Sequence, residues 1–256
     1  MNRWILVAGA SRGIGLATAR LLLQEGCSVV AAARDVGKLE EEFSGEPRLK
    51  IVPFDFSGVE KLEDFASRVT ALAGGISGML YSAGMQRTLP LTQSKFSVAE
   101  EIFRVNTFAA FEMVRLFAKK GAYNPGGASF LLLSSMAAHE GALGTAIYGA
   151  SKGALEGFIP AAASELTARK IRLNALILGT VKTDMSMQFI EKMSEERKKS
   201  LLAEYPLGLG EPSDVASFAA YLLSEKARWI TGQTFTLDGG HSVREIYSAS
   251  ARGVSP

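Results

Sequence analysis

The sequence holds few residues suited to disulfide or metal chemistry. Its 256 residues include one cysteine, Cys27, and two histidines, His139 and His241. A single cysteine cannot form an intrachain disulfide or a paired-cysteine site, so nothing in the sequence favours an oxidising compartment. Neither histidine has a second histidine or a carboxylate at ligand spacing, which predicts that the chain has no metal site. Cys27 is interpreted as a small core residue.

Long charged blocks and long apolar runs are absent as well. The 28 Lys and Arg against 26 Asp and Glu give a net charge of +2, too small a surplus for a protein built to bind nucleic acid. No apolar run reaches the ~18 residues that predict a membrane-spanning helix, and Met1 to Ala10 make a poor signal peptide. We therefore expect a cytoplasmic protein that contacts neither nucleic acid nor membrane.

The chain does have a regular alternation of short apolar runs and longer segments of helical spacing. With 47% apolar residues, it can bury a large core. Apolar runs with little polar alternation are typical of parallel strands covered on both faces. They lie at Trp4–Ala10, Ser28–Arg34, Lys50–Asp55, Gly78–Ser82, Ser129–Ser135, Arg172–Leu178 and Thr234–Leu237. This order predicts one α/β domain over residues 1–256, a doubly wound, Rossmann-type parallel sheet of about seven strands with helices on both faces.

Two stretches lie outside this alternation. Residues 179–212 follow the sixth strand, and the part around 183–211 contains a short, amphipathic, methionine-rich piece. Ligands of doubly wound folds bind beyond the carboxyl ends of the strands, so this segment is predicted to cover a substrate. A surface excursion without function is the alternative. The C-terminal tail, 241–256, is expected to pack on a neighbouring subunit or to be disordered.

A glycine-rich turn joins the first strand to the first helix. It reads Gly9-Ala10-Ser11-Arg12-Gly13-Ile14-Gly15. Glycines at such a turn let backbone amides approach a pyrophosphate, and the helix N-terminus favours the anion. The spacing departs from G-x-G-x-x-G, but the position between strand and helix favours a dinucleotide site. A glycine-rich turn that binds nothing is the alternative.

The residue that closes the second strand selects between dinucleotides. An acidic side chain there accepts the ribose 2′-hydroxyl of NAD, whereas arginine pairs with the 2′-phosphate of NADP. The sequence places Arg34 and Asp35 at this point, with Arg12 on the same side in the glycine turn. We assign Arg34 and Arg12 to the 2′-phosphate and expect NADP(H). A longer second strand would bring in Asp35 and favour NAD.

A tyrosine and a lysine four residues apart open a helical segment. Tyr148 and Lys152 project from one face of that helix. The ammonium is expected to lower the pKa of the phenol, so that Tyr148 can exchange a proton with a carbonyl oxygen. Ser135, at the end of the fifth strand, is placed to hold that oxygen by a hydrogen bond. Asn106, in the middle of a helix, is placed to hold a water that links Lys152 to solvent.

Together, the glycine turn, Asn106, Ser135, Tyr148 and Lys152 closely resemble the pattern of the short-chain dehydrogenase/reductases, and the likeness covers nearly the whole chain. Within that family the sequence is most similar to the 3-oxoacyl-[acyl-carrier-protein] reductases. The further matching stretches are 171–175, 210–212, 230–233 and 238–240. The resemblance implies that these four side chains carry catalysis and that Tyr148 and Lys152 also touch the nicotinamide ribose.

The resemblance also implies where the rest of the cofactor lies. Asp55 and Phe56 would flank the adenine, and Val181 and Thr183 would meet the carboxamide end. The expected cofactor contacts are Gly9, Ser11, Arg12, Gly13, Ile14, Gly15, Arg34, Asp55, Phe56, Ser82, Ala83, Gly84, Tyr148, Lys152, Gly179, Val181 and Thr183.

Two departures from the family pattern lie near this site. Tyr81-Ser82-Ala83-Gly84 replaces the usual Asn-Asn-Ala-Gly, so the amide side chains that tie neighbouring strands together are missing. Leu178-Gly179 replaces Pro-Gly and loses a rigid φ near the nicotinamide. Both departures favour a specialised relative over a housekeeping fatty-acid enzyme.

The leading hypothesis is an NADPH-dependent carbonyl reductase that acts on a β-ketoacyl thioester presented by an acyl carrier protein. The alternatives are a reductase of a free small ketone or quinone, and a non-catalytic cofactor-binding sensor or scaffold. The resemblance implies that basic residues at two helix ends face the site entrance and receive the acidic carrier. These residues are Lys119, Lys120, Arg169, Lys170 and Arg172. Cations that only complement helix dipoles are the alternative.

The resemblance further implies a homotetramer. One interface would use the Phe96–Lys120 and Ser151–Ala168 helices, and another the last strand near Asp238. Alanine-rich stretches in the second helix permit close approach of a neighbouring helix, although they serve equally well against the sheet of the same chain.

Overall fold

A computed structural model describes residues 3–243. Seven strands in this part of the chain form one sheet, and every neighbouring pair is parallel. Their order across the sheet is β3-β2-β1-β4-β5-β6-β7. The strands are β1 (Trp4–Ala8), β2 (Ser28–Ala33), β3 (Leu49–Pro53), β4 (Gly78–Tyr81), β5 (Ala128–Ser135), β6 (Ile171–Leu178) and β7 (Thr234–Leu237). The predicted doubly wound parallel sheet is confirmed.

The strand ends lie within two residues of the predicted ones, and β7 has the predicted bounds. β1 stops at Ala8, because Gly9 adopts a φ of +85° that extended backbone does not allow. β2 ends one residue before Arg34, and β3 ends two residues before Asp55. The polar residues expected at these strand ends therefore lie in the turns beyond them.

Helices cover both faces of the sheet. They are α1 (Gly13–Gln24), α2 (Gly37–Glu42), α3 (Leu62–Ala73), α4 (Phe96–Phe103), α5 (Ala109–Phe117), α6 (Ala146–Thr167), α7 (Asp184–Glu191), α8 (Glu195–Ala203) and α9 (Pro212–Leu223). On one face α3, α5 and α6 bury Phe65, Phe117 and Leu155, and on the other α1 and α9 bury Leu22 and Val215. Alternate strand residues point into these two clusters, which explains the uninterrupted apolar runs.

The long helix expected over Phe96–Lys120 is interrupted. Residues Arg104–Phe108 form one π-helical turn between α4 and α5. Single π turns inside α-helices are found frequently at functional sites. This one carries Asn106, which is fully buried.

The chain leaves the centre of the sheet in two directions. β2 and β3 lie on one side of β1, and β4 to β7 lie on the other. This reversal of strand order leaves a crevice beyond the carboxyl ends of β1 and β4. The cleft at this place has a volume of about 1140 Å³ and is bordered by the glycine turn, the end of β5, the start of α6, and the α7–α8 segment. Within residues 3–243, no helix is both long enough and apolar enough to cross a membrane.

Candidate active site

The cleft brings together the residues that the sequence proposed as cofactor contacts. Each of them lines it, from Gly9 in the glycine turn to Thr183 at the start of α7. Ser135, Tyr148 and Lys152 line its centre, whereas Asn106 lies behind the wall. The grouping comes from the carboxyl ends of six strands, β1 to β6, meeting at one edge of the sheet.

The glycine turn has the geometry of a pyrophosphate cradle. A side chain on Gly15 would place its Cβ 2.1 Å from the Gly9 carbonyl oxygen, so only glycine permits this approach. α1 begins at Gly13, and the Arg12 side chain at its N-cap makes no capping hydrogen bond. The first amides of α1 therefore face the cleft without an intrahelical partner, as an anion site requires. The residues present fit the phosphates of a dinucleotide.

Three cations line the cleft beyond β2. Arg12 and Arg34 are exposed there, as expected, and Lys38 on α2 joins them. Lys38 lies in the first turn of α2, and sequence analysis missed it because Arg34 stands in the turn before that helix and no motif links the two residues. Asp35 also lines the cleft, but its carboxylate accepts a hydrogen bond from the Gly37 amide at 3.2 Å at the start of α2. The local charge favours an anion.

Asp55 and Phe56 follow β3 at the same end of the cleft. Asp55 is exposed, and the hydrogen bond that its carboxylate accepts from the Ser57 amide at 2.9 Å lowers the pKa of Asp55. The Phe56 ring is buried and packs edge-to-face against Phe65 and Tyr81. Of the two residues expected at the adenine, Phe56 is thus mainly a core residue and Asp55 is the accessible polar group.

Tyr148 and Ser135 are neighbours at the centre of the cleft. Tyr148 lies in the first turn of α6, and Ser135 is the last residue of β5. Burial raises the pKa of Tyr148, a hydrogen bond with Ser135 lowers it, and the net direction is upward. The expected fall of this pKa is therefore wrong for the chain alone. A phenol that stays protonated at neutral pH can donate its proton to a carbonyl oxygen.

Lys152 lies one turn further along α6 and is 7% exposed. Its Nζ donates a hydrogen bond to the Leu133 carbonyl oxygen at 2.8 Å and lies 5.9 Å from the centre of the Tyr148 ring. Burial lowers the pKa of Lys152 to about 8, so most of the amine is charged at neutral pH. An ammonium has three donors, and Leu133 takes one of them. The charge is therefore available to groups in the cleft.

The Asn106 side chain ties two segments together behind the cleft. Its Oδ1 accepts a hydrogen bond from the Met85 amide at 2.8 Å, and its Nδ2 donates to the Met85 carbonyl and to Ser151 Oγ, both at 3.0 Å. The side chain thus joins the loop after β4 to α6, one residue before Lys152. Both polar atoms of the side chain are engaged in this way, and the expectation that Asn106 holds a water stays a prediction.

Other contacts replace the missing amides after β4. Ser82 Oγ donates to the Ala8 carbonyl oxygen at 2.8 Å, which ties β4 to β1. The Tyr81 side chain is 1% exposed, and its hydroxyl donates to the Val105 carbonyl oxygen at 2.6 Å. The amide side chains are missing as the sequence indicates, and the Ser82 hydroxyl makes a strand-tying contact in their place. Tyr81 anchors the π turn that carries Asn106.

Close packing replaces the missing proline after β6. A Cβ on Gly179 would lie 2.9 Å from the Asp238 Cα and 3.0 Å from the Tyr205 ring. Val181 is buried, and Thr183 caps α7 by accepting a hydrogen bond from the Ser186 amide. This wall of the cleft is held by its neighbours instead of by a rigid φ.

The basic residues at the ends of α5 and α6 lie at the opposite edge of the sheet. Arg172 is the second residue of β6, and the rest of the strand separates it from the carboxyl edge by roughly 20 Å. Its guanidinium donates to three backbone carbonyls at 2.8, 3.0 and 3.1 Å, and Lys119 forms an ion pair with Glu63. The expectation that these cations face the entrance of the cleft is wrong for the single chain.

Sequence analysis also missed the place of His241. This residue is 4% exposed, lines the cleft and forms a hydrogen bond with the Glu140 carboxylate. No spacing pattern finds such a pair, because 101 residues separate the partners. In the part of the chain that the structure describes, no three His, Cys, Asp or Glu side chains come together to hold a metal. The rest of the tail, 244–256, lies outside the described residues.

The parallel sheet, the glycine cradle and the Ser135, Tyr148 and Lys152 cluster define a Rossmann-type oxidoreductase. A family model described as enoyl-(acyl carrier protein) reductase matches residues 9–242. The chain is 30% identical over 241 residues to carbonyl reductase family member 4 of Xenopus tropicalis, which covers 94% of this chain and 98% of that protein. It belongs to the short-chain dehydrogenase/reductase family.

A second relative is 3-oxoacyl-[acyl-carrier-protein] reductase FabG of Thermotoga maritima. It is 30% identical over 241 residues, which covers 92% of this chain and 96% of that protein. Solved structures are similar too. 4-hydroxyisoleucine dehydrogenase complexed with NADH superimposes with a TM-score of 0.88 at 25% identity over 95% of this chain and all of the other.

ElxO with NADP bound has a TM-score of 0.85 at 23% identity, again over 95% of this chain and all of the other, and supports the fold alone. One of these two proteins was solved with NADH and the other with NADP. Structural similarity therefore does not select the dinucleotide of this chain.

Proposed function

We propose that the protein is an NADPH-dependent carbonyl reductase that converts a ketone into a secondary alcohol. The observation that carries this proposal is the cluster of a protonated phenol, a hydroxyl and a buried cation on the wall of a cleft with a phosphate cradle. When bound, the dinucleotide supplies the hydride. Tyr148 donates its proton to the carbonyl oxygen, Ser135 holds that oxygen, and the Lys152 ammonium stabilises the phenolate left behind.

Replacement of Tyr148 by Phe tests the mechanism, because it removes only the hydroxyl. We expect NADPH oxidation with a ketone to fall by at least about 10²-fold, while NADPH binding measured by nicotinamide fluorescence is retained. Tyr123→Phe, at a half-buried tyrosine outside the cleft, is the matched control. Unchanged turnover in Tyr148→Phe would refute the proposal. A wild-type protein that binds NADPH but turns over no ketone would instead support a sensor or scaffold.

We propose that Arg34 and Arg12 recognise the 2′-phosphate, with Lys38 as a third cation. A charge-assisted contact is worth roughly 1.5–3 kcal/mol, which corresponds to about ten- to a hundredfold in affinity. Arg34→Ala is therefore expected to weaken NADPH binding by that factor and to leave NADH binding unchanged. Arg20→Ala, on α1 and outside the cleft, is the control. Equal affinities of the wild type for NADPH and NADH would indicate that Asp35, and not Arg34, contacts the adenosine ribose.

We propose a β-ketoacyl thioester on a carrier protein as the substrate. The names of the relatives support this class, and so does the apolar lining that α7 and α8 contribute through Met185, Phe189 and Leu201, which suits an acyl chain under the 183–211 segment. A free small ketone is the second candidate, since the cations expected to steer an acidic carrier lie at the far edge of the sheet.

The two candidate substrates predict different ratios of kcat/KM for carrier-bound and free forms of the same acyl group. One β-ketoacyl group is offered on a carrier protein and on a small thioester. An advantage of about tenfold or more for the carrier, lost at high salt, supports the first candidate. Equal values make a free ketone the substrate.

We propose a homotetramer as the assembly. The Phe96 ring is 81% exposed and the Phe108 ring 48% exposed on the helices that would pack together, and β7 is an edge strand with alternate exposed residues. Light scattering that shows a monomer at micromolar concentration would reject this assembly.

A further inference from the structure

The segment that borders the substrate side of the cleft has little hydrophobic anchorage of its own. Its two helices, α7 and α8, contain no buried residue. At its start, Thr183 caps α7, and Val181 pairs with Gly210 at the base. At its end, Tyr205 is the first buried residue after α8, with 6% of its surface exposed. We call the segment formed by α7 and α8 the flap. Because it has no buried face, its position depends on the contacts at its two ends.

The end of the flap is held by a cluster that we name the His241 clamp, formed by His241, Glu140, Glu204, Tyr205 and Thr180. The His241 ring stacks on Tyr205 with centroids 4.6 Å apart and planes inclined by 17°. His241 Nε2 is hydrogen-bonded to the Glu140 carboxylate, and Nδ1 lies 3.1 Å from the Glu204 carbonyl oxygen. The clamp therefore joins the β5–α6 loop, the end of α8 and the turn after β7.

The clamp also reaches the wall where the nicotinamide carboxamide is expected. The Tyr205 hydroxyl accepts a hydrogen bond from the Thr180 amide at 3.0 Å and lies 2.8 Å from Thr180 Oγ1. The turn that presents His241 is shaped by Asp238, whose carboxylate accepts hydrogen bonds from the Gly240 and Ser242 amides at 3.0 and 2.7 Å. Four segments that are distant in the sequence thus meet around one buried imidazole.

We propose that His241 is a positioning residue that holds the α7–α8 flap over the cleft and thereby determines the affinity for the substrate. This inference rests on the proposed reductase function of the same cleft. The contacts that hold the His241 ring run to Glu140, Glu204 and Tyr205, whereas proton transfer is assigned to Ser135, Tyr148 and Lys152. Loosening the clamp makes closure of the flap over a ketone less favourable, which raises KM and leaves kcat nearly unchanged.

The test combines limited proteolysis with kinetics. The flap carries trypsin sites at Lys192, Arg197, Lys198 and Lys199. His241→Phe keeps the ring stacked on Tyr205 but removes both nitrogen contacts. We expect trypsin to cut the flap about tenfold faster in this variant, and KM for the ketone to rise about tenfold with kcat changed less than threefold. His241→Gln, which retains one hydrogen-bonding arm, is expected to recover part of both effects.

Two further variants keep the test decisive if His241→Phe folds poorly. Glu140→Gln leaves the imidazole in place and is expected to increase flap cleavage to a smaller extent. His139→Gln is the matched control, because His139 is half exposed and contacts Glu156 at 2.8 Å, away from the flap. Its flap cleavage is expected to equal that of the wild type.

Flap cleavage that is the same in wild type, His241→Phe and Glu140→Gln would overturn the clamp, and so would a fall in kcat at constant KM. Proteolysis needs no turnover. If the wild type reduced no ketone, the proposed function would fail while the cleavage rates still tested the clamp.

Discussion

Two cations lie at opposite edges of the same sheet, the buried Lys152 and the half-buried Arg172, and they differ in how many hydrogen-bond partners they have. Arg172, at the amino end of β6, donates to three carbonyls, two of them at the C-terminal end of α9 and just beyond it. Lys152, near the carboxyl end of β5, donates to the Leu133 carbonyl. Burial lowers the pKa of both groups. The carbonyl end of a helix suits a cation, so Arg172 has the partners that its charge requires.

The difference separates stability from chemistry. At the amino edge, charge is used to cap a helix, and Arg3 adds a further hydrogen bond to the Leu223 carbonyl at 2.6 Å. At the carboxyl edge, the Lys152 ammonium uses one of its three donors on Leu133 and lies beside the Tyr148 phenol in the cleft. A buried charge with few hydrogen-bond partners lowers the stability of the fold and is available for catalysis. Perturbed pKa values cluster at functional sites for this reason.

The comparison predicts that Lys152→Met inactivates the protein and stabilises it. Turnover is expected to fall by about 10²–10⁴-fold. The pKa of about 8 against 10.5 corresponds to a burial cost of about 3 kcal/mol, and the lost hydrogen bond offsets about 1 kcal/mol of the gain. We expect the free energy of unfolding in urea at pH 7 to rise by about 1–2 kcal/mol. A less stable variant would show that Lys152 is as well satisfied as Arg172.

The matching substitution at the other edge, Arg172→Met, is expected to have the opposite effect on stability. It leaves three carbonyls, two of them at the end of α9, without their charged donor, which costs about 2–3 kcal/mol in the free energy of unfolding. Turnover at saturating ketone is expected to change less than threefold. If Arg172→Met instead impaired ketone reduction while the free energy of unfolding stayed unchanged, the role of Arg172 in stability would be refuted.

The pH dependence sharpens the comparison further. The Lys152 ammonium is lost above a pH of about 8, so kcat/KM for ketone reduction is expected to fall about tenfold per pH unit beyond that point. Between pH 8 and 10.5 the unfolded chain binds more protons than the folded one, so folding becomes more favourable as the pH rises. The stability advantage of Lys152→Met is therefore full below pH 8 and disappears towards 10.5. A constant advantage across this range would contradict the burial cost.

The smallest effect is expected behind the cleft, at Tyr81. Tyr81→Phe removes the hydroxyl that holds the Val105 carbonyl of the π turn, which costs about 1 kcal/mol of stability. Because the same turn carries Asn106, turnover is expected to fall by a factor smaller than for Lys152→Met. Tyr123→Phe is the control, since it measures how much the loss of a tyrosine hydroxyl elsewhere changes the free energy of unfolding. Identical unfolding curves for Tyr81→Phe and wild type would show that the anchor contributes nothing.

Much of the fold was predictable from local patterns. The strand β2 reads as one apolar run and is buried along its whole length, and Tyr148 and Lys152 share a helix face because they lie four residues apart. The glycine turn was recognisable because only glycine fits at these positions. Gly9 has a positive φ, and Gly15 lies too close to the Gly9 carbonyl for a side chain. The interruption of the helix around Asn106 was not predicted, since Arg104–Phe108 contains neither the proline nor the glycine that marks a break in a helix.

The sequence alone determined the order of strands and helices, the edge of the sheet where ligands bind, and the side chains present there. These follow from periodicity and from the chemistry of neighbouring residues. Only the tertiary structure decided which polar groups are satisfied. It gave Arg172 three carbonyls and Lys152 one, turned the Asn106 amide towards Met85, and brought His241 to Glu140. Burial and contacts between residues 19 to 101 positions apart in the sequence set these outcomes, and no local pattern encodes them.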